Sequence, residues 1–181
     1  MLHQATPLIN NYKISVRVKS RIILNVKKVT GHDKYHGNYA VIRLTYVYIV
    51  YYSGWVNVTG IRNRLLFPAV ISNLLDFTNL NYRDLVAVTV DNISAAGTFG
   101  KPLSIRFIRK SLELIKCEKI FDYKPGKFCG ASIKFGKRKG TINLFTSGKY
   151  TIVGANTDER VNEIFFMTKT ALFGDVQPFG I

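Results

Sequence analysis

Ile142–Asn156, INLFTSGKYTIVGAN, has a near double upstream in Val47–Asn63, VYIVYYSGWVNVTGIRN. In each, an apolar, β-branched run ends in an aromatic residue (Phe145, Tyr51), one residue follows, and then comes Ser-Gly (Ser147-Gly148, Ser53-Gly54). A second apolar run closes on Val153-Gly154 or Thr59-Gly60. Matched residues stand a constant 94 apart (147 less 53, 154 less 60), so the two stretches share a register. The chain reads as two copies of one unit, residues 1–79 and 80–181.

A chain of 181 residues with 47% hydrophobic content can build one large core or two small fused ones. Its 26 Lys and Arg against 11 Asp and Glu leave a formal charge of +15, a positive field that attracts polyanions, with nucleic acid the leading partner. Two cysteines, Cys117 and Cys129, are too few for a disulfide framework and lack metal-ligand spacing, so reduced thiols in an intracellular protein are expected. The opening MLHQATPLINNYK carries no secretion signal. The most apolar window, Ala40–Val50, is too short for a membrane span and contains Arg43, so no membrane partner is expected.

In the second copy, Leu85–Ala95 is β-branched and reads as a strand. After Pro102, the spacing of Ile105, Ile108, Leu112 and Ile115 predicts an amphipathic helix with the proline in its first turn. KIFDY, the turn Lys124-Pro125-Gly126-Lys127, FCGASIKF, GKRKG, TINLFT and KYTIVGA then read as a strand meander. A closing helix is predicted over Thr157–Phe173, capped by Asn156, ended by Gly174, with Val161, Ile164, Phe165, Thr168 and Leu172 as its core stripe. The first copy follows the same order: a strand at Lys13–Lys19, a doubtful helix slot at Arg21–Lys28, strands at Tyr39–Leu44, Val47–Tyr52 and Trp55–Gly60, and a helix at Phe67–Phe77. Runs such as TYVYIVYY and TINLF carry apolar or aromatic groups on both faces, so helices cover one face and the other needs a partner.

Catalytic signatures are missing. His32 and His36 lie four apart with Asp33 between, yet Gly31 and Gly37 bracket them and no third ligand is near. There are no paired carboxylates, nucleophile elbow or phosphate loop. Gly136-Lys-Arg-Lys-Gly140 is either a solvated basic turn or a sugar-phosphate contact. Neither an enzyme nor a cofactor is expected.

The residues VTVDNISAAGTFGKPLSIRF, FDYKPGKFCGASIKF and above all NLFTSGKYTIVGANT resemble a repeat of the TATA-box-binding-protein core, closely over residues 85–174 and more loosely over 12–77. The resemblance implies an α+β fold, a saddle of two repeats forming one curved antiparallel sheet of about ten strands with helices on the convex face. It implies no enzymatic activity, but minor-groove binding to double-stranded A/T-rich promoter DNA and bending by wedged Phe side chains, the mode for which this family is itself the standard instance. Carried over by position, the second-copy wedges are Phe128 and Phe145, and the first-copy pair is Tyr39 and Tyr51. Asn92 takes the place of a central donor asparagine, and the first-copy place falls on Lys13. Thr59 and Val153 share one matched place on the same surface, and Arg43, Lys127, Lys134 and Lys149 flank it as phosphate contacts.

The family's second-repeat loop presents acidic residues to transcription factor IIB, whereas here Lys124 and Lys127 reverse the sign. This divergence points to a viral or otherwise specialised relative with a factor-IIB-like or dedicated partner, reaching RNA polymerase indirectly in a nucleus or, if viral, a cytoplasmic viral factory. Three readings stay open. One is a promoter-bending initiation factor, another a saddle-shaped interaction scaffold with vestigial DNA binding, and the third a substrate-binding domain of a nucleic-acid-processing enzyme.

Overall fold

Val, Ile, Tyr and Thr dominate the strand-forming runs, and the side-chain period of two decides which of them meet the helices. The computed structural model describes residues 6–22, 34–36, 38–113, 119–136 and 140–174. The chain divides into two units, Asn10–Asn92 and Ile93–Ile181 with Met1–Ile9. Elements β1 (Leu8–Val18), β2 (Lys34–His36), β3 (Tyr39–Arg43), β4 (Val47–Tyr51), β5 (Trp55–Ile61) and α1 (Phe67–Thr78) come first. They are followed by β6 (Leu85–Thr98), α2 (Ile105–Leu112), β7 (Lys119–Asp122), β8 (Gly130–Phe135), β9 (Thr141–Phe145), β10 (Lys149–Ala155) and α3 (Asp158–Phe173). Strand order is β2-β3-β4-β5-β1-β6 in the first unit and β6-β10-β9-β8-β7 in the second. The division falls within β6, whose Leu85–Asn92 belong to the first unit and Ile93–Thr98 to the second. The fold class is α+β with antiparallel strands.

The doubled motif is a doubled hairpin. Strands β4 and β9, and likewise β5 and β10, begin and end at matched residues, and their burial matches too. Tyr48 and Val50 in β4, like Ile142 and Leu144 in β9, are buried, while Val47, Ile49 and Tyr51, like Thr141, Asn143 and Phe145, are half-buried on the other face. So TINLF alternates in the ordinary way, Thr141 and Asn143 being polar; only the first copy keeps an apolar outward row. Gly54 and Gly148 close the two turns, donating N–H to the carbonyls of Tyr51 (3.1 Å) and Phe145 (2.9 Å). At φ +93° and +82° these are left-handed positions, and a Cβ on Gly148 would collide with the Lys101 carbonyl oxygen. That double demand explains why Ser-Gly appears twice.

Helix α3 buries Val161, Ile164, Phe165, Thr168 and Leu172, the whole expected stripe. Its cap is Thr157 and not Asn156: Thr157 Oγ1 accepts from Arg160 N at 3.1 Å. In α2 the cap is Ser104, whose Oγ accepts from Phe107 N at 3.1 Å, so Pro102 precedes the helix and does not occupy its first turn. Ile108 and Leu112 are buried. Helix α1 buries Val70, Ile71, Leu74, Leu75 and Phe77, and the Tyr48 hydroxyl donates to the Val70 carbonyl at 3.2 Å. Burial pushes the Tyr48 phenol up to about 12. Tyr150 is raised equally, to about 12, by the same cause. Its hydroxyl is buried without a hydrogen-bond partner among the described residues, and a side chain on Gly97 would collide with it, which accounts for a glycine inside β6.

In the first-helix slot Arg21 and Ile22 are not helical, and the remainder lies outside the described residues. So do His32, Cys117, Ile115 and residues 137–139 of the GKRKG turn; the His36 side chain is likewise not described. Among the described residues Cys129 is a free, exposed thiol, no group of three or more His, Cys, Asp or Glu could hold a metal, and no helix is long and apolar enough to cross a membrane.

Candidate nucleic-acid interface

Each hairpin sets a pair of aromatic rings side by side on the face away from the helices. Phe128 and Phe145 meet edge to face with centroids 5.7 Å apart, and Tyr39 and Tyr51 meet at 5.6 Å. The pairs arise from different backbone places. Tyr39 is opposite Tyr51 in the β3–β4 ladder, whereas opposite Phe145 in the β8–β9 ladder stands Gly130. The positional match of Tyr39 with Phe128 is therefore corrected by two residues: Tyr39 occupies the place of Gly130. Phe128 reaches the same spot from the Lys124 turn, where its N–H donates to the Lys124 carbonyl at 2.9 Å, and it is 39% exposed. Gly130 makes this possible, because a Cβ there would lie 2.9 Å from Phe128 Cε1 and 3.1 Å from Phe145 Cδ1. Between the last paired residues stand three positions (44–46) in the first unit and six (135–140) in the second; with the two-residue slip this accounts for the closer sequence spacing of the tyrosines.

By strand register the first-copy counterpart of Asn92 is Asn11, a correction to Lys13. Tyr12 pairs with Ile61 and Ile93 with Ala155, which are matched residues of β5 and β10, so Asn11 and Asn92, each one residue earlier, are counterparts. Lys13 matches Ser94 instead. Asn11 escaped notice because β1 starts at Leu8, not Lys13; the alternation of buried Tyr12, Ile14, Val16 and Val18 was the signal that could have found it. Its Oδ1 accepts from Gly60 N at 2.7 Å and from Thr59 Oγ1 at 3.2 Å. A backbone N–H can only donate, so the amide's orientation is fixed and Nδ2 is turned to donate elsewhere. Gly60 sits at φ +93° beside the register shift in the β1–β5 pairing, and Gly154, at φ +82°, sits beside the corresponding shift in β10.

Arg43 and Lys134 occupy one matched place, opposite Val47 and Thr141, and both are exposed. Lys149 is exposed, but its counterpart is Trp55; Lys127 is exposed on the turn, and Lys13 is half-buried. Thr59 and Val153 are half-buried counterparts, so only the first unit keeps a hydroxyl there. On this face of the second unit, Ser132 Oγ lies 2.7 Å from Asn143 Oδ1, and Asn143 Nδ2 donates to Thr151 Oγ1 at 3.2 Å. The other turn cation, Lys124, pairs with Asp122 at 3.4 Å in the open, an ion pair that contributes little to stability yet partly offsets the turn's charge.

Residues 87–170 match the model of the family described as transcription factor TFIID, or TATA-binding protein. The chain is 29% identical over 115 residues to TATA-box-binding protein 2 of Methanosarcina mazei, a match covering 62% of this chain and 61% of that one. To the TATA-box-binding protein of Methanothrix thermoacetophila it is 27% identical over 122 residues, covering 64% and 63%. Over these residues the chain is similar to the TATA-binding-protein family. It spans about three fifths of the length of these curated relatives. The fold is also that of the TBP of Methanococcus jannaschii, with a TM-score of 0.73 at 18% identity over 93% of this chain and 98% of that one. The family model begins at residue 87, within β6, so residues 1–86 lie outside the match.

Proposed function

We propose that this protein is a non-enzymatic transcription initiation factor that binds the minor groove of A/T-rich promoter DNA with its open sheet faces, bends it, and presents a platform through which polymerase is recruited. The reading rests chiefly on the pairing of Asn11 and Asn92 at one matched place in the two copies. A·T pairs offer only acceptors in the minor groove, and an amide nitrogen held outward by a bonded Oδ1 is a donor suited to them. The aromatic pairs supply wedges, and Arg43, Lys127, Lys134 and Lys149 reach phosphates. A factor-IIB-like or dedicated partner would complete the platform, in a nucleus or a viral factory. The scaffold reading would cite Tyr39, Tyr51 and Lys13; the match of Asn11 with Asn92 favours DNA binding over it at one of those three positions.

Selection of the purified protein against random duplexes, with bending read by end-to-end energy transfer, tests this. A/T-rich sites should be enriched and bent, and a large part of the affinity should survive added salt. Phe145→Ala should lower specific affinity by about 1–3 kcal/mol without loss of fold. A log–log salt plot that accounts for nearly all the affinity, with straight DNA, would reduce the protein to a generic polycation.

A further inference from the structure

Beside Tyr51, in the first unit only, the ladder place that holds Lys149 in the second is taken by Trp55, the sole tryptophan of the chain. Trp55 is 43% exposed, although an indole gains from burial. Tyr51, Ser53, Trp55 and Asn57 line a concavity of about 300 Å³. Arg17, opposite Trp55 in the β1–β5 ladder, holds its guanidinium carbon 5.5 Å from the indole centre. Asn57 is fixed from behind by Ser15 Oγ at 2.9 Å.

We propose that this slot receives one unstacked nucleobase from the DNA strand, an activity beyond the minor-groove contact of the proposed function but resting on that reading for the presence of DNA. The slot is small for a ligand site, with room for one planar ring and not a folded segment. None of its lining residues is a carboxylate; the Asp91 carboxylate stands behind Asn57, bonded to the same Ser15 hydroxyl, while Arg17 is the charge beside the indole. An aromatic wall with a guanidinium alongside suits an electron-rich ring joined to a phosphate, and the chain's charge of +15 brings that class of guest near. Asn57 at the rim can hydrogen-bond a base edge. The second unit, with Phe145, Ser147, Lys149 and Thr151 at the same places, has a phosphate-binding cation where the first has the indole.

The full chain is titrated with an A/T-rich duplex, fully paired or carrying one unpaired adenine near one end, with affinity read by anisotropy of labelled DNA and slot occupancy by emission of the lone tryptophan, which a stacked base quenches. The bulged duplex should bind about tenfold tighter and quench the emission, and Trp55→Ala should bring the affinity ratio of the two duplexes to about one, while Trp55→Phe keeps part of it. Equal affinity for both duplexes with unchanged emission overturns the slot while leaving the minor-groove reading intact. Failure to bind either duplex overturns both, and quenching that persists with a free aromatic peptide but not with the bulge assigns the slot to protein.

Discussion

Gly130 faces Phe145 directly across the β8–β9 ladder, and the ring of Phe128 fills the space that a side chain on Gly130 would take. The second unit thus builds its aromatic pair around a deliberate gap, where the first unit puts a tyrosine into the ladder itself.

Gly130→Ala should therefore disturb the pair and spare the core. A methyl at 2.9 Å from Phe128 Cε1 must move something, and Phe128, on the exposed turn, yields more readily than the β9 backbone. DNA bending should fall as in Phe128→Ala, with a stability loss below about 1 kcal/mol, less than internal overpacking costs. Unchanged bending in an energy-transfer assay would show that the pair does not wedge.

Asn11→Asp isolates the donor. The carboxylate still accepts from Gly60 N and Thr59 Oγ1, so β1 stays anchored, but the outward NH₂ is lost. Affinity for A/T-rich duplex should drop by about 1–3 kcal/mol, whereas Lys13→Ala should weaken all sequences alike and flatten the salt slope. Binding isotherms at two salt concentrations separate the two, and a larger effect at Lys13 on sequence preference would restore the earlier assignment.

Tyr150→Phe should stabilise the protein by about 1 kcal/mol, because it removes a buried hydroxyl that has no partner among the described residues, while Tyr48→Phe, which strips the Val70 carbonyl of its donor, should destabilise by a similar amount. Both phenols are raised to about 12 in the folded chain, from 10. Above pH 10 the unfolded chain gives up these protons first, so the stability they contribute is whole below pH 10 and lost as pH rises toward 12. Urea melts at pH 8 and 11 should show that loss, reduced in Tyr150→Phe.

Charge reversal at the Phe128 turn should change partner choice. Lys124 and Lys127 face outward, Lys124 beside Asp122, and like charges across an interface can cost several kcal/mol. A pull-down with a cellular factor IIB on promoter DNA should be weak for the native chain and stronger for Lys124→Glu/Lys127→Glu. Tight binding without the substitutions refutes a dedicated partner.

Much of the fold was legible because the hairpin sequences carry their own punctuation. An aromatic, Ser-Gly and a second glycine set strand ends and register, and the α3 stripe followed from its period. The helix caps were displaced by one or two residues, since Asn156, Thr157, Pro102 and Ser104 all offer plausible starts and only the hydroxyl geometry chooses among them. At the candidate interface, counting along the chain puts Lys13 opposite Asn92 and Tyr39 opposite Phe128, because the connections differ in length between the copies: matched residues of β1 and β6 stand 81 apart (93 less 12) and those of the hairpins 94, and only the pairing register reveals it.

The paired positive-φ glycines also say how kin of this protein can be sought. Gly54 and Gly60, like Gly148 and Gly154, are six apart, and all four adopt angles that other residues reach only with strain. Side chains around them have changed class, lysine to tryptophan and threonine to valine, while the backbone requirement has not. A genome scan keyed to two such glycine intervals, with an aromatic three residues before the first of each, would recover distant copies that percentage identity overlooks, including halves as far diverged as this chain's own first unit.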